Sequence, residues 1–409
     1  MTNALRVDPA RLWDSLMTHS RIGATADGGI DRESLTEADR QGRDVFAGWA
    51  QSAGASVMWD DLGTMYATVQ GEDPTLLPIA FGSHLDTQPT GGKFDGVLGV
   101  LGGLEVLRTL RAAGVRTRHP LCLVNWTAEE GGRFPVSMAA SGVWAGVFPA
   151  SDADRWVDAN GVHFRDALRA IGYEGQESAG ARRFRAWLEL HIEQGAVLDD
   201  SGTTIGIVTG GQAMRFATVT ISGRESHAGT TPMEIRLDPV SAFVRIATAC
   251  EASARAVADG RFTVGLIEVD PGSHSVIPRK VTFSLDLRHP SQTGLDHLSA
   301  VFEKAVLAER SRGHAVNICE NGGSLELSFN PACVAAVRAG VRITGYEACD
   351  IVSGAGHDAF HIARICPTAM IFIPCRGGIS HNSAESITPQ EAACGADVLL
   401  HAILTLDHN

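Results

Sequence analysis

The sequence lacks the features that would place it in a membrane or outside the cell. No run of about 18 apolar residues occurs in the 409-residue chain, so no membrane-spanning helix is predicted. The first residues, MTNALRVDPARLW, contain no basic segment followed by an apolar stretch, so we expect no secretory signal. We therefore expect a cytoplasmic protein that binds no membrane.

Positive charge is scarce. Lys and Arg number 34 against 47 Asp and Glu, which gives a formal net charge of -13. No Lys/Arg run stands out, so the basic surface of a nucleic-acid-binding protein is missing. An anionic substrate would therefore have to be held by local positive groups.

Cysteine pairs are missing as well. The eight cysteines form no C-x-x-C motif, and several lie inside apolar runs, which predicts reduced thiols in the core rather than disulfides. A chain of this length suggests about two domains and can bury a core that needs no disulfide.

The chain does contain an alternation of helical and strand patterns. Apolar runs at 77–81, 121–126 and 186–190 each end in a polar, Gly-rich loop, and residues 97–110 show helical spacing. This alternation predicts an α/β sheet that is buried on both faces. Because ligands of such sheets bind at the carboxyl ends of the strands, we expect the functional site there.

The pattern changes near residue 211. Residues 281–288 alternate apolar and polar side chains, as in a half-exposed antiparallel strand. The other expected elements are strands at 216–221, 262–269 and 314–318, a helix that begins at Pro239, and a helix over 294–311. The order β-α-β-β-α-β is ferredoxin-like. We predict a discontinuous catalytic domain, residues 1–211 and 328–409, and an inserted α+β domain, residues 212–327.

Histidines and carboxylates are concentrated in polar clusters that follow the predicted strands or the Gly-rich joints. The clusters are GSHLDTQPTGGKFDG (82–96), TAEEGG (127–132), HIEQG (191–195), SHAGTTP (226–232) and GGISHN (377–382). Zinc prefers this mixture of ligands, and its carboxylate share also admits manganese or cobalt. Taken singly, a histidine after a strand can be structural, Asp86 can cap a loop, and a Glu-Glu pair can be solvated. Their joint occurrence at strand ends predicts a metal site.

The spacing also indicates chemistry. Asp95 precedes Gly96, where the backbone can turn tightly, and is the natural carboxylate to bridge two metals about 3.5–4 Å apart. Glu129 and Glu130 are adjacent, so on a loop one can bind metal while the other takes a proton from water. This division suits the hydrolysis of an unactivated amide.

Arg288 and His227, both in the predicted inserted domain, can each be interpreted in two ways. Arg288 lies on the polar face of its strand, where it either clamps a carboxylate or forms a surface salt bridge. His227 lies in a Gly/Thr loop and is either a donor to a developing oxyanion or a turn residue.

The motifs together resemble a known family. GSHLDTQPTGGKFDGVLGV, NWTAEEGGRFPVSMAASGVWAG, HIEQG, SHAGTTPM, GAGHDA and GGISHN are similar to the carbamoylase branch of the aminoacylase/carboxypeptidase-like metallopeptidases. That branch holds N-carbamoyl-L-amino-acid hydrolases, β-ureidopropionases and allantoate amidohydrolases. The resemblance runs from about residue 20 to the C-terminus. It implies a bimetallic exopeptidase-like catalytic domain, an inserted lid and dimerisation domain, and a homodimer. It also implies two divalent metal ions per subunit, which would be zinc or, alternatively, manganese, cobalt or nickel.

The resemblance implies roles for the residues of the metal centre. The implied metal ligands are His84, Asp95, Glu130, His191 and His381. His84 and His191 would hold separate metals that share Asp95, while the assignment of Glu130 and His381 stays open. Glu129 would be the general base, and Asp86 would orient His84 through its carboxylate.

The resemblance also implies substrate contacts. Arg288 would bind the substrate carboxylate, and His227 would reach the active site of the partner subunit. Gln194 and the backbone around Gly356 would touch the substrate. Arg215 lies where allantoate hydrolases carry a substrate-binding arginine. Ser275 stands where the family often has Asn, and its shorter hydroxyl would reach the substrate through water.

These inferences predict a metal-dependent amidohydrolase that acts on a small carboxylated ureide. It would convert N-carbamoyl-L-amino acids or N-carbamoyl-β-alanine into the amino acid, ammonia and carbon dioxide. Allantoate amidohydrolase is the nearest alternative, which Arg215 and Arg288-His289-Pro290 support. A dipeptidase or aminoacylase is a third. A catalytically inactive binding protein on the same fold would lack a ligand or the base.

Overall fold

The structure is a computed structural model that describes residues 4–408. It divides into a larger unit, which runs to Thr209 and resumes at Phe329, and a smaller unit, Gly210–Ser328. The sequence analysis places the two borders at 211/212 and 327/328.

The first segment of the larger unit alternates helices and strands. Its helices are α1 (Pro9–His19), α2 (Glu37–Ser52), α3 (Val97–Ala112), α4 (Ala139–Trp144), α5 (Phe164–Ala170) and α6 (Val197–Ser201). Its strands are β1 (Ser56–Trp59), β2 (Met65–Val69), β3 (Ile79–His84), β4 (Leu121–Trp126), β5 (Ala186–Ile192) and β6 (Ile205–Gly211).

The smaller unit follows. Its strands are β7 (Ala213–Ser222), β8 (Ser226–His227), β9 (Arg261–Thr263), β10 (Ile267–Asp270), β11 (Val276–Ile277), β12 (Lys280–His289), β13 (Ala315–Ser324) and β14 (Leu327–Ser328). Its helices are α7 (Pro239–Ala256) and α8 (Gln292–Ser311).

The chain then completes the larger unit. The remaining elements are α9 (Pro331–Thr344), β15 (Ala348–Ser353), α10 (Asp358–Ile362), β16 (Thr368–Ile373) and α11 (Pro389–His408). Helix α11 begins with a capping box. The amide of Thr388 donates to Glu391 Oε2 at 2.6 Å, and the amide of Glu391 donates to Thr388 Oγ1 at 3.2 Å.

The large sheet has the strand order β1-β2-β4-β3-β5-β16-β6, and β15 also pairs with β6. Strands β4, β3, β5 and β16 run parallel to one another, so their carboxyl ends meet at one edge. Strand β1 pairs antiparallel with β2, strand β2 with β4, and strand β6 with β16. The predicted α/β fold is therefore confirmed as a mixed sheet with a parallel centre.

Helix α3 lies directly against this centre because its sheet-facing side carries glycines. A Cβ on Gly99 would lie 2.4 Å from the carbonyl oxygen of Leu190, and one on Gly103 would lie 2.6 Å from Leu123 Cδ1. Helix α11 also packs against α3, and nearly every residue of α3 is buried. The helix therefore forms part of the core that supports the loop 85–96.

The smaller unit is an antiparallel sheet of order β10-β12-β7-β13, with β9 also paired to β12. Helices α7 and α8 cover it, and its core includes Val219, Ile246, Phe283 and Phe302. The elements follow the predicted β-α-β-β-α-β order, except that the short strands β8, β11 and β14 are added and two strands, β9 and β10, replace the second predicted strand.

One strand prediction for the smaller unit is wrong. Residues 262–269 form two short strands, β9 and β10, rather than one. Between them the amides of Gly265 and Leu266 donate to the side-chain hydroxyl of Ser284, at 2.9 and 3.0 Å. These amides are therefore withdrawn from the strand ladder, and the strand is interrupted there.

Across residues 4–408, no helix is both long enough and apolar enough to span a membrane.

Candidate metal centre

The predicted ligands lie at the edge where the parallel strands end. His84 is the last residue of β3, His191 is near the end of β5, and Glu130 and His381 lie on the loops after β4 and β16. Asp95 lies on the loop that leads into α3. All are buried except His381, whose side chain is 49% exposed.

The first group of potential ligands is His84, Asp95 and His191. His191 Nε2 lies 3.2 Å and His84 Nε2 lies 3.6 Å from the same carboxylate oxygen, Asp95 Oδ1. This grouping differs from the expectation that His84 and His191 hold separate metals. They end neighbouring parallel strands, which brings both rings to one side of Asp95.

The second group is Asp95, Glu130 and His381. His381 Nε2 lies 3.4 Å from Asp95 Oδ2 and 3.3 Å from Glu130 Oε2. Asp95 thus turns one oxygen to each group, which is the geometry of a bridging carboxylate.

The histidine rings are oriented for metal binding. His84 Nδ1 donates to the carbonyl oxygen of Asp86 at 3.0 Å, and His191 Nδ1 donates to that of Ile192 at 2.9 Å. Each ring therefore directs Nε2 toward Asp95, as in metal sites where a backbone carbonyl sets the tautomer. The first group offers two nitrogens and one oxygen, and the second offers one nitrogen and two oxygens. Both sets fit divalent transition metals.

Asp86 reaches His84 through its main chain rather than through its carboxylate. The carboxylate oxygen Oδ1 lies 3.7 Å from His84 Nδ1. The carboxylate accepts from Ser34 Oγ at 2.8 Å and lies 3.4 and 3.3 Å from the amides of Glu129 and Glu130. Asp86 therefore connects the end of β3, where His84 lies, with the loop that carries Glu129 and Glu130.

Glu129 and Glu130 point to different places, as their adjacency predicts for a loop. Glu129 Oε2 lies 3.6 Å from His84 Nε2, whereas Glu130 Oε2 lies beside His381 and accepts from Gln88 Nε2 at 2.9 Å. Burial and then Asp358 raise the pKa of Glu129 well above its usual value, and burial and then Asp95 do the same for Glu130.

Opposite charges attract strongly within the centre. Burial alone would lower the pKa of His191, but the hydrogen bond to Asp95 raises this pKa to about 9. Burial likewise opposes ionisation of Asp95, yet its contacts with His191 and His381 hold its pKa well below the usual range. Asp95 is therefore a carboxylate that bound cations would share in place of these protons.

Backbone strain is concentrated at the site. Three non-glycine residues near the ligands have left-handed backbones: Ala128 with φ 58°, Gln194 with φ 60° and His381 with φ 52°. Each follows one of the central strands. Such conformations cost about 1–3 kcal/mol each and persist where the surrounding structure holds them for function.

Two predicted substrate contacts lie in the larger unit. Gln194 Nε2 donates to Asp95 Oδ2 at 2.7 Å and to Ser380 Oγ at 3.2 Å, and its Oε1 is buried without a hydrogen-bond partner among the described residues. Gly356 lies against Met138, whose Cε would be 3.3 Å from a Cβ at that position. Both substrate roles stay predictions.

The other predicted contacts lie in the smaller unit. His227 and Ser275 meet where β8 pairs with β11, since the amide of Ala228 donates to the carbonyl oxygen of Ser275 at 3.0 Å. Arg288 forms an ion pair with Asp286 at 2.9 Å and lies over the ring of Phe216. Arg215 is paired with Glu303 and Glu320, each at 2.6 Å.

Three buried acids and one buried histidine close to the ligands were not predicted as site residues from the sequence. These are Glu189, His357, Asp358 and Glu385. Glu189 and His357 form a third potential group with His191. The oxygens of Glu189 accept from Ser83 Oγ at 2.7 Å and the amide of Ala359 at 3.1 Å, so this group is a hydrogen-bonded support rather than a further cation site. A glutamate inside the apolar run AWLEL was the available signal.

Glu385 lies next to Asp95. Burial and then Asp95 raise its pKa to about 7. Its four-residue spacing after His381 was not singled out, because the segment reads as an ordinary polar loop.

Comparisons with known proteins agree with this arrangement. The sequence model of the peptidase family M20/M25/M40 matches residues 80–405. An N-carbamoyl-L-amino-acid amidohydrolase of Rhizobium meliloti is 45% identical over 410 residues, which cover 98% of this chain and 96% of the relative. An allantoate amidohydrolase of Bacillus subtilis is 33% identical, over 95% of each chain. A crystal structure of an amidase of the hydantoinase/carbamoylase family from Burkholderia multivorans has a TM-score of 0.94 and 43% identity, over 99% of each chain.

The fold and the ligand groups define an α/β hydrolytic enzyme with a candidate metal centre. The chain belongs to the peptidase family M20/M25/M40 and is an enzyme of its amidohydrolase type. The predicted resemblance to the carbamoylase branch is confirmed.

Proposed function

We propose that this amidohydrolase cleaves the ureido amide of N-carbamoyl-L-amino acids or N-carbamoyl-β-alanine and releases the amino acid, ammonia and carbon dioxide. The observation that carries the proposal is the two-sided contact of Asp95, with Oδ1 3.2 Å from His191 and Oδ2 3.4 Å from His381, beside the buried Glu129. The 45% identity to a relative named for this substrate class supports it.

Two divalent ions complete the site in this proposal. His84 and His191 would hold one ion, Glu130 and His381 would hold the other, and Asp95 would contribute to both. Such ions polarise a carbonyl group and acidify a water molecule. Zinc is our first expectation, and manganese, cobalt and nickel are the alternatives.

Glu129 moves the proton. It accepts a proton from the attacking water, whose oxygen forms a bond to the ureido carbonyl carbon. The bond from that carbon to the amino-acid nitrogen then breaks, and Glu129 returns the proton to that nitrogen. The carbamic acid that remains decomposes to ammonia and carbon dioxide. Glu129 suits this exchange because it is buried beside His84 and belongs to neither ligand group that contains Asp95.

The substrate contacts in this proposal are those that the sequence predicts. Arg288 binds the carboxylate, while Gln194, Ser275 and the backbone at Gly356 bind the ureido part and its neighbours. In His227, Nδ1 accepts the amides of Gly229 and Thr230 at 3.0 and 3.2 Å, so a neutral ring carries its proton on Nε2. That proton is suited to donate to the developing oxyanion. We also propose that the smaller unit is a lid and dimerisation domain in a cytoplasmic homodimer.

Allantoate hydrolysis is the second candidate. The 33% identity to an allantoate amidohydrolase supports it. Arg215 is paired with Glu303 and Glu320, as Arg288 is paired with Asp286, so these ion pairs do not distinguish the two candidates.

A substrate panel on metal-reconstituted enzyme tests the proposal. N-carbamoyl-L-methionine, its D-enantiomer, N-carbamoyl-β-alanine, allantoate, an N-acetyl amino acid and a dipeptide would be compared by kcat/KM. We expect the carbamoyl compounds to exceed all others. A higher value for allantoate would replace the proposal with the second candidate. Light scattering in solution would test the dimer.

A further inference from the structure

Glu385 anchors the loop that carries Asp95. Its side chain is 3% exposed, and it follows His381 by four residues. Its oxygen Oε1 accepts two main-chain amides, that of Phe94 at 2.8 Å and that of Asp95 at 3.2 Å. Two hydrogen bonds to one buried carboxylate oxygen fix the position of the Asp95 backbone.

Ser380 connects the same two acids through their side chains. Its hydroxyl oxygen lies 3.0 Å from Glu385 Oε2 and 2.9 Å from Asp95 Oδ2. A hydroxyl has one proton and donates to one acceptor at a time. Whichever carboxylate accepts it, Ser380 holds the two side chains at a common point.

Gly92 makes room for this arrangement. A Cβ at this position would lie 2.0 Å from the carboxyl carbon of Glu385 and 2.1 Å from Oε1. The loop before α3 therefore wraps directly over the carboxylate, and any side chain at position 92 would displace it.

We propose that Glu385 is a positioning residue for the bridging carboxylate of Asp95, so that Oδ1 and Oδ2 each face one metal. The proposal rests on the metal centre of the proposed function. Because Asp95 is common to both ligand groups, loss of Glu385 should weaken both metals. Gln88 offers a contrast, because its Nε2 donates to Glu130, a member of the second group alone.

The test is stepwise zinc binding to metal-free protein, measured by isothermal titration calorimetry. We expect Glu385→Ala to raise both dissociation constants by about 10–100-fold, the usual effect of removing a hydrogen-bond partner of a ligand. The matched variant Gln88→Ala should raise only one of them. Glu385→Gln keeps an oxygen for the two amides and should bind both metals nearly as the unmodified protein does.

Two further variants separate this role from a structural one. Glu385→Asp keeps the charge but withdraws the carboxylate by about 1.5 Å, so it should resemble the alanine variant. Gly92→Ala should displace the carboxylate while it is still present, and its effect should not add to that of Glu385→Ala. This variant also serves if Glu385→Ala does not fold.

The proposal is overturned if Glu385→Ala or Gly92→Ala changes only one constant or neither, or if Glu385→Asp binds both metals normally. These constants are measured without substrate. An enzyme that ignores carbamoyl amino acids would therefore contradict the proposed function and leave this result intact.

Discussion

Glu129 Oε2 lies 3.6 Å from His84 Nε2. The acid is 7% exposed and belongs to neither of the two ligand groups that contain Asp95. In the proposed function this acid carries the proton, while the residues of the two groups hold the metals.

Glu129→Gln should retain both metals and lose turnover. The amide keeps the size of the side chain but accepts no proton, so kcat should fall by about 10²–10⁴-fold, with KM changed much less. Metal content by atomic emission and steady-state kinetics would check this. Turnover within a factor of ten of the unmodified enzyme would disprove the role of Glu129 as base.

Paired histidine substitutions should reveal the two ligand groups. His84→Ala with His191→Ala removes two ligands from the same group, so one metal per chain should remain. His84→Ala with His381→Ala removes one ligand from each group, so both metals should be weakened. Metal content after dialysis against a fixed zinc concentration measures the difference. Equal zinc retention in the two double variants would contradict the grouping.

Gly96→Ala should remove the His84 ring from its place. Gly96 has φ 64°, and a Cβ there would lie 2.3–2.4 Å from three atoms of that ring. We expect loss of the metal held by His84 and His191, together with about 1–2 kcal/mol of backbone strain. Gly146→Ala is the matched control, because Gly146 has φ 73° and no atom within 4 Å of the added Cβ. The control should lower Tm slightly and keep both metals, as thermal melts and metal analysis would show.

His361 should make the stability of the protein depend on pH. Burial and then Arg364 lower the pKa of His361 to about 4, below its ordinary value of 6.5. A depressed pKa means that the unfolded chain binds the proton first. The contribution of the neutral His361 to the free energy of unfolding is therefore fully present above pH 6.5 and is lost as pH falls toward 4. At pH 5 the loss is at most about 2 kcal/mol.

His361→Phe should remove this part of the pH dependence. Urea unfolding of metal-free protein at pH 7 and pH 5 would measure it, with Phe148→Leu as control. Phe148 packs edge-on against His361 at 5.5 Å between ring centres, so its substitution should lower stability equally at both pH values. An unchanged slope in His361→Phe would contradict the prediction.

Local patterns predicted much of the fold. The apolar runs at 77–81, 121–126 and 186–190 overlap strands β3, β4 and β5, and the helical spacing over 97–110 lies in α3. These features depend on neighbours in the chain, so a single sequence reveals them. The break at Gly265 was missed because it depends on Ser284, a residue of another strand.

The supporting acids could not be predicted from local patterns. Glu189 lies within an apolar strand and Glu385 within a polar loop, and each acquires its partners from distant segments. Likewise, Asp86 was expected to orient His84 with its carboxylate. The carboxylate turns instead toward Ser34 and the glutamate loop, which the sequence does not place nearby.

The sequence by itself determined which side chains are available for metal binding and proton transfer, because motifs such as HIEQG and TAEEGG state the residue types and the strand ends where they occur. Only the tertiary structure decided how they are grouped. Strand β5 lies beside β3, while β4 and β16 flank this pair. His84 and His191 therefore share one oxygen of Asp95, and the loops after the flanking strands bring Glu130 and His381 to the other. Strand order depends on the packing of the whole sheet, and no short stretch of sequence contains it.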